Sequence, residues 1–167
     1  MTEIKTEIQF AIKDNCCYLK LKGDIRYSYS GKNFADFSKE IFSNHTISDF
    51  VIDMTETEFI DSTNLGIIAG IANRLAKVTA NRPVIISDNE DIIIILSTMG
   101  FEQFFEIINT SSTVDDLKLL GLDLEKYSSK DLNKAALKAH ENLASMNSKN
   151  SEMFKDVIEL LRKEQDD

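Results

Sequence analysis

Alternating hydrophobic and polar residues over the first 22 positions predict two half-buried β-strands. Asp14 and Asn15 separate the two runs and favour a tight turn, so the strands should pair as an antiparallel β-hairpin. Gly23 and Asp24 interrupt the second run and indicate a bulge. The apolar positions are Ile4, Ile8, Phe10 and Ile12 in the first run and Cys17, Leu19 and Leu21 in the second.

The spacing of apolar residues becomes helical after Ser30, which should cap a helix that buries Phe34, Phe37 and Ile41. Strand and helix patterns then alternate to Gly121, which favours an α/β fold with right-handed crossovers and a mixed sheet. The remaining predicted elements are a strand at 49–54, a helix at 62–78 with Leu65, Ile68, Ala69, Ala72 and Ala76 inside, a strand at 84–86, a helix at 90–99 opened by a capping box at 87–90 and closed by Gly100, a strand at 104–108 and a helix at 112–121.

The composition changes near residue 123, where strand-forming residues become scarce and Ala, Lys, Leu, Asn and Ser dominate. We therefore divide the chain into a domain at 1–122 and a helical extension at 123–167. The extension should contain two helices, at about 129–146 and 151–165, separated by a break at 147–151. Each helix has an apolar side that needs a cover. We expect that cover to be the chain's own domain or a second copy in a homodimer, with partner recognition as an alternative.

The charge of the chain narrows its function. It has 28 acidic and 19 basic residues and a net charge of −9, which argues against general binding of nucleic acid. The N-terminus is charged from its third residue and is unlike a signal peptide. Apolar runs such as 92–96 are far shorter than the ~20 residues of a membrane-spanning helix. We expect a cytoplasmic protein without membrane insertion.

Cysteine and histidine give no sign of a metal or cofactor site. Cys16 and Cys17 are neighbours that point to opposite faces of a strand, so we expect one buried and one exposed thiol and no bridge between them. His45 and His140 are far apart in sequence and lack metal-ligand spacing. We predict no cofactor and no metal.

The sequence gives little support for an enzymatic function. We identify no glycine-rich phosphate loop, no Ser/His/Asp constellation and no paired catalytic carboxylates, so no catalytic residue is assigned. The carboxylates of Asp53, Glu56, Glu58 and Asp61 are too sparse for a calcium loop, and we interpret them as a solvated acidic loop.

Ser62 stands where a strand region meets the helix predicted at 62–78. At that position Ser62 or Asp61 could be an ordinary helix cap, worth about 1 kcal/mol. Ser62 could instead accept a phosphate, which the positive end of the helix dipole would tolerate. Such a group would add about −1.5 to −2 charges beside Asp61 and could repel a partner while the fold survives.

The outer face of the same helix is a candidate docking surface. Ile67 and Gly70 should form a flat, exposed apolar spot rimmed by cations, although a single exposed Ile without a role is an equal alternative. The outer face comprises Thr63, Ile67, Gly70, Arg74 and Lys77, with Ile71 at its margin.

The run Phe59-Ile-Asp-Ser-Thr-Asn-Leu-Gly66 resembles the signature of STAS-domain anti-sigma-factor antagonists, a strand followed by Asp-Ser-Ser/Thr-Gly/Ala-Leu-Gly. Four further segments, at 21–25, 50–54, 93–101 and 104–107, resemble other strands and helices of that family. The resemblance covers roughly the first 120 residues. It implies an α/β STAS fold, with a mixed four- to five-stranded sheet packed with about four helices, followed by the C-terminal helical extension.

The resemblance also implies a partner-switching mechanism. Ser62 matches the serine that a Ser/Thr protein kinase phosphorylates, often the anti-sigma factor itself, and that a PP2C-type phosphatase restores. The unphosphorylated form binds the anti-sigma factor and frees the sigma factor. Asp61 would orient the hydroxyl, and Thr63 is an alternative acceptor. Asn64 departs from the family's Gly or Ala, which puts the identity of the partner in doubt. Together with the outer face of the helix predicted at 62–78, this gives as predicted partner-binding residues Asp61, Ser62, Thr63, Asn64, Ile67, Gly70, Ile71 and Arg74.

Two other functions remain open. His140 could serve a phosphorelay, although an ordinary exposed His on a helix is the better interpretation. The STAS domain could instead be an accessory subunit of a transporter or a stressosome-like scaffold, without a phosphorylation switch. Transporter members of the family often lack the acceptor Ser, so Ser62 disfavours that function.

Overall fold

One mixed sheet of six strands organises the computed structural model, which describes residues 6–112, 117–122, 124 and 129–166. The spatial order is β5-β4-β3-β2-β1-β6. The pairs β2–β3, β3–β4 and β4–β5 are parallel, and β1 pairs antiparallel with both β2 and β6. The strands are β1 (Glu7–Lys13), β2 (Cys16–Ile25), β3 (Asp49–Ile60), β4 (Val84–Ser87), β5 (Glu106–Asn109) and β6 (Leu120–Gly121).

Five α-helices accompany the sheet within the described ranges. The first two pack side by side, the fourth lies against both of them, and the fifth packs on the fourth. The helices are α1 (Tyr27–Asn44), α2 (Ser62–Ala76), α3 (Glu90–Thr98), α4 (Ser129–Ala144) and α5 (Ser148–Asp166), with a short 3₁₀ turn at Phe101–Gln103. We call α4 and α5 the helical hairpin.

The predicted β-hairpin at the start of the chain is confirmed. Asp14 and Asn15 both have positive φ, 51° and 62°, and Lys13 pairs directly with Cys16. This is the two-residue turn whose twist suits antiparallel strands, and Asp and Asn tolerate its left-handed backbone. The predicted bulge is also present, because the β2–β3 register shifts between Gly23 and Asp24.

The core forms where the sequence places its apolar faces. Alternate residues of β2 and the inner side of α1 are buried together, as period-2 and period-3.6 patterns require. The inner face of α2 is confirmed at four of five positions. Ala76 is exposed and Leu75 is buried, because the helix ends at Ala76. The buried predicted residues are Cys17, Leu19, Leu21, Phe34, Phe37, Ile41, Leu65, Ile68, Ala69 and Ala72.

Several predicted boundaries are wrong. Helix α1 begins at Tyr27, so Ser30 is not its cap but a buried residue inside the helix. The cap of α3 is Asn89, whose side chain accepts the N–H of Asp91, while Ser87 ends a strand. The strand predicted at 49–54 continues to Ile60, because the β2–β3 ladder extends to Ile25.

The described residues of the helix predicted at 112–121, residue 112 and residues 117–121, are not helical. Leu120 and Gly121 form β6 and pair antiparallel with Phe10 and Gln9 of β1. Residues 113–116 of that prediction lie outside the described residues. This added edge strand is why the sheet has six strands instead of four or five.

The carboxylates interpreted as an acidic loop lie mostly in β3, which corrects that interpretation. Asp53 is buried and accepts hydrogen bonds from the backbone and hydroxyl of Thr55. Glu56 lies 2.7 Å from the Lys20 ammonium on the neighbouring strand. The hydrogen bond from Lys20 is the main reason that the pKa of Glu56 is lowered. Hydrogen bonds therefore hold the carboxylate of Asp53, and a charge pair across two strands holds that of Glu56.

The prediction of one buried and one exposed thiol is confirmed for the buried one only. Cys17 is fully buried, and burial raises the pKa of its thiol to about 12. Cys16 is half-buried instead of exposed, and desolvation raises its pKa as well. Within the described residues, no cluster of His, Cys, Asp and Glu could hold a metal ion. No helix among those residues has the length and apolar character needed to cross a bilayer.

Candidate functional site

The candidate site lies where β3 ends and α2 begins. Asp61 is the N-cap of α2, with extended backbone angles (φ −88°, ψ 168°). Its Oδ1 accepts the N–H of Asn64 at 2.9 Å, and its Oδ2 accepts the N–H of Tyr27, the first residue of α1, at 2.7 Å. One carboxylate therefore caps the N-termini of two helices and holds them together.

Asn64 fixes the same junction from inside the protein. It is fully buried, and its Nδ2 donates to Asp61 Oδ1 at 2.9 Å and to the Ile25 carbonyl at 3.4 Å. Its Oδ1 accepts the hydroxyl of Ser30 at 3.2 Å. The departure at Asn64 therefore lies inside the protein, and a docking surface near it stays a prediction. The residue joins α1, α2 and the end of β2.

Ser62 is the first residue of α2 and is partly exposed. Its Oγ lies 3.0 Å from Nε2 of His140, which belongs to α4. The other ring nitrogen, Nδ1, lies 2.7 Å from the Ala136 carbonyl. Because a carbonyl only accepts, Nδ1 must carry a hydrogen, and in a neutral ring the hydroxyl of Ser62 then donates to Nε2. The site hydroxyl is therefore already engaged by the C-terminal extension.

His140 was expected to be exposed, and the structure contradicts this. The side chain is only 6% exposed, because it lies between the start of α2 and the fifth helix. The ring of Phe154 contacts it edge-on, with centroids 5.3 Å apart. His140 is therefore not an accessible acceptor for a phosphorelay in this structure.

Helix α4 crosses α2 at very close range. A Cβ added at Gly66 would lie 2.1 Å from the backbone oxygen of Ala139, so only glycine fits there. Asn142 donates to the Gly66 carbonyl at 3.1 Å. A Cβ at Gly70 would lie 2.7 Å from Nδ2 of the same Asn142. Two glycines one helical turn apart thus form the groove in which α4 lies.

The predicted outer face of α2 is therefore mostly covered, which corrects the expected exposed patch. Ile67 is 4% exposed and Thr63 is 4% exposed. Gly70 and Ile71 are buried as well. Among the eight residues assigned to partner binding, those that reach the surface are Asp61, Ser62 and Arg74.

A cleft of about 210 Å³ remains between α1, α2 and α4. Ile67 forms part of its apolar wall, and Arg74 lines it beside α2, where partial burial lowers the pKa of the guanidinium. Of the two cations on the predicted outer face, Arg74 lines this cleft and Lys77 does not, and α1 and α4 supply the other charged residues around it. The charged residues around the cleft are Lys32, Asp36, Lys39, Arg74, Asp131, Lys134 and Lys138.

Comparison with known proteins identifies the family to which this fold belongs. The model of the STAS domain family matches residues 7–117, two thirds of the chain. The chain belongs to the STAS domain family. The match includes the whole strand–turn–helix junction around Ser62 and ends before the helical hairpin.

Two solved structures share the fold. The anti-sigma factor antagonist SpoIIAA in its unphosphorylated form has a TM-score of 0.52 and 17% identity, over 60% of this chain and 87% of that one. The NMR structure of the protein TM1081 has a TM-score of 0.51 and 22% identity, over 60% of this chain and 79% of that one. No curated protein sequence matches the chain.

Sequence reasoning missed the residues that join the extension to the site. Ala139, His140 and Asn142 were assigned to an amphipathic helix without a known neighbour. One signal was available, because Gly66 and Gly70 are four residues apart on α2, as Ala135 and Ala139 are on α4. Small residues at that spacing on two helices permit close packing, but they do not say which helices meet.

Proposed function

We propose that this STAS protein is an anti-sigma-factor antagonist whose partner binding is controlled by phosphorylation of Ser62. The observation that carries the proposal is a partly exposed serine at the first residue of α2, directly after the capping Asp61. Further support comes from the shared fold of SpoIIAA, which is described as an anti-sigma factor antagonist with an unphosphorylated form.

The local electrostatics suit a phosphate at Ser62. Two helix N-termini, those of α1 and α2, converge on Asp61, and the positive ends of both helix dipoles favour an added anion. The phosphoryl group would add about −1.5 to −2 charges at pH 7. A partner approaching this edge would meet that charge beside the carboxylate of Asp61, so its affinity should fall while the caps remain.

The acceptor is Ser62 in this proposal, with Thr63 as the alternative. Thr63 is buried, so a kinase would reach it only after a larger rearrangement. The partner is an anti-sigma factor or a Ser/Thr switch kinase in a transcription-control pathway, and a PP2C-type phosphatase restores the hydroxyl. Partner contacts are assigned to Asp61, Ser62, Thr63, Asn64, Ile67, Gly70, Ile71 and Arg74, of which Asn64 would act from inside by holding the junction.

Binding of the partner to variants at Ser62 tests the switch. Ser62→Ala and Ser62→Asp chains are used as baits, and the anti-sigma factor recovered from the host is quantified. We expect Ser62→Ala to bind and Ser62→Asp to bind at least tenfold less, which corresponds to about 1.4 kcal/mol. Ser43→Asp adds the same charge at an exposed position of α1 and should bind like the wild type. Equal recovery with both Ser62 variants would refute the proposal.

Phosphopeptide mass spectrometry of the chain isolated from its host identifies the acceptor. We expect phosphate on Ser62, its loss in Ser62→Ala and its retention in Thr63→Val. An unphosphorylated chain that co-purifies with an ATPase would instead favour the transporter or stressosome-like scaffold.

A further inference from the structure

The helical hairpin occupies the face of α2 that the proposed function assigns to a partner. Its first helix contacts Ser62 through His140 and covers Ile67. A partner cannot reach Gly66 or Gly70 while Ala139 and Asn142 lie against them, and the neighbouring Ile67 is itself only 4% exposed. The chain therefore carries its own occupant of that surface.

The interface between α2 and α4 is partly polar. His140 and Asn142 are buried there, and each makes a hydrogen bond to α2, one to the Ser62 hydroxyl and one to the Gly66 carbonyl. When the hairpin leaves, these groups exchange their protein partners for water, so each bond costs only about 0.5–1.5 kcal/mol to open. The cleft beside Ile67 shows that packing against α1 is incomplete. Interfaces of this mixed character suit contacts that open and close.

A second contact holds the other end of the hairpin, away from Ser62. Asn150 is fully buried, and its Nδ2 donates to the Met99 carbonyl at 2.8 Å and to the Leu143 carbonyl at 3.0 Å. Asn147 donates to the same Met99 carbonyl at 3.3 Å. The hairpin can thus be loosened at this end without a change in the α2 surface.

We propose that the side of α2 facing α4 is a helix-docking surface whose resident occupant is the helical hairpin of the same chain, so that a partner binds only after the hairpin has left. The identity of the surface as the partner's site rests on the proposed function. The contact between the hairpin and α2 does not rest on the proposed function, because it joins two parts of one molecule.

Intramolecular occupancy lowers the apparent affinity of a partner by the fraction of molecules that are open. If about 1% are open, the apparent dissociation constant is about 100-fold weaker than the intrinsic one. In a variant whose hairpin is released, the fraction of molecules with an exposed surface should therefore rise by up to the same factor. That factor can be measured without any partner.

Thiol labelling of the covered surface measures the opening. Ile67→Cys, in a full chain whose native thiols are removed by Cys16→Ser and Cys17→Ala, places a reporter thiol under the hairpin. Ala139→Glu then puts a charged side chain against the Gly66 backbone, at a position that is 1% exposed. We expect maleimide to label the reporter thiol at least tenfold faster in this variant. Ser151→Glu, which adds the same charge at an exposed site on α5, should leave the rate unchanged.

A peptide supplied in trans tests whether the open surface binds a helix pair. The probe is a synthetic peptide with the sequence of residues 129–166, which contains no cysteine. We expect it to slow labelling of the Ala139→Glu chain back toward the rate of the closed protein. The same peptide carrying Ala139→Glu should not protect.

Asn150→Ala loosens the hairpin from its distant end and guards against misfolding of the Ala139→Glu chain. Both variants should keep the far-UV circular dichroism of a folded α/β domain, and both should label faster. Equal labelling rates in the parent chain and the two variants, or a peptide that gives no protection, would overturn the inference. Failure of the Ser62 bait experiment with successful peptide protection would instead refute only the proposed function.

Discussion

Replacement of Gly66 by alanine gives a sharp measure of how tightly the hairpin is seated. The new Cβ would lie 2.1 Å from the oxygen, 2.4 Å from the carbonyl carbon and 2.7 Å from the Cα of Ala139. All three atoms belong to the α4 backbone, so no side-chain rotation relieves the overlap. The two helices must move apart, or the hairpin must leave.

The expected magnitude combines two opposing effects. Alanine in a helix interior gains about 1 kcal/mol over glycine from backbone propensity. Overpacking of a close contact costs about 1–3 kcal/mol, and we expect the upper end because the opposing atoms are backbone. The net expectation for Gly66→Ala is a loss of about 2 kcal/mol in the free energy of unfolding.

Gly70→Ala is the matched control on the same helix. Its Cβ would meet Asn142 Nδ2 at 2.7 Å and Arg74 Nη1 at 3.3 Å, and both atoms end flexible side chains. Displacing Asn142 loses about one hydrogen bond, which offsets the propensity gain of about 1 kcal/mol. Urea titration followed by circular dichroism should therefore separate the two variants by about 2 kcal/mol. A Gly66→Ala chain as stable as Gly70→Ala would refute the close seating of α4.

Three further outcomes follow from buried or paired groups. Asn64→Ala should lower the free energy of unfolding by about 2–3 kcal/mol in urea titration, because its buried partners lose their hydrogen bonds. Iodoacetamide should modify Cys17 at pH 8 only after unfolding in urea, since its folded pKa is about 12, and peptide mass spectrometry resolves the site. Glu56→Gln should cost under ~1 kcal/mol at pH 7, because the lowered pKa of Glu56 gives its full stabilisation above the ordinary value of 4.5. Urea titration across pH should show the difference shrink as the pH falls below 4.5 and vanish below the lowered pKa of the folded state.

The sequence predicted the sheet and its helices well where period and turn chemistry agree. The β-hairpin at Asp14 and Asn15, the buried side of α2 and the order of strands and helices from 49 to 109 depend on local patterns that tertiary packing does not override. Ser30 and Ser87 were misassigned as caps, because a Ser near a helix start is a cap only if its backbone is extended there.

The junction of β3 and α2 at the candidate site was predicted, and the helix that covers it was not. Asp61 and Ser62 follow from a strand-to-helix junction that is visible in sequence. The contact between Ser62 and His140 joins residues 78 positions apart, and no local rule pairs them. The apolar side of an amphipathic helix indicates that it is buried, but it does not indicate which surface it packs against. Ile67 was therefore expected to be exposed. The role of the boundary at 122/123 and a homodimer through the extension stay predictions.

Phosphorylation and hairpin closure cannot both keep the contact at Ser62. The Oγ and Nε2 atoms are 3.0 Å apart, a separation that a bridging hydrogen fills and a phosphoryl group does not. A kinase must also reach an oxygen whose hydrogen points at His140, so the hairpin has to move before the transfer. Under the two proposals, modification of Ser62 would have two opposing effects: added charge beside Asp61 would repel a partner, and loss of the hydrogen bond to α4 would favour release of the hairpin. A partner's affinity would then depend on the hairpin and the phosphate together.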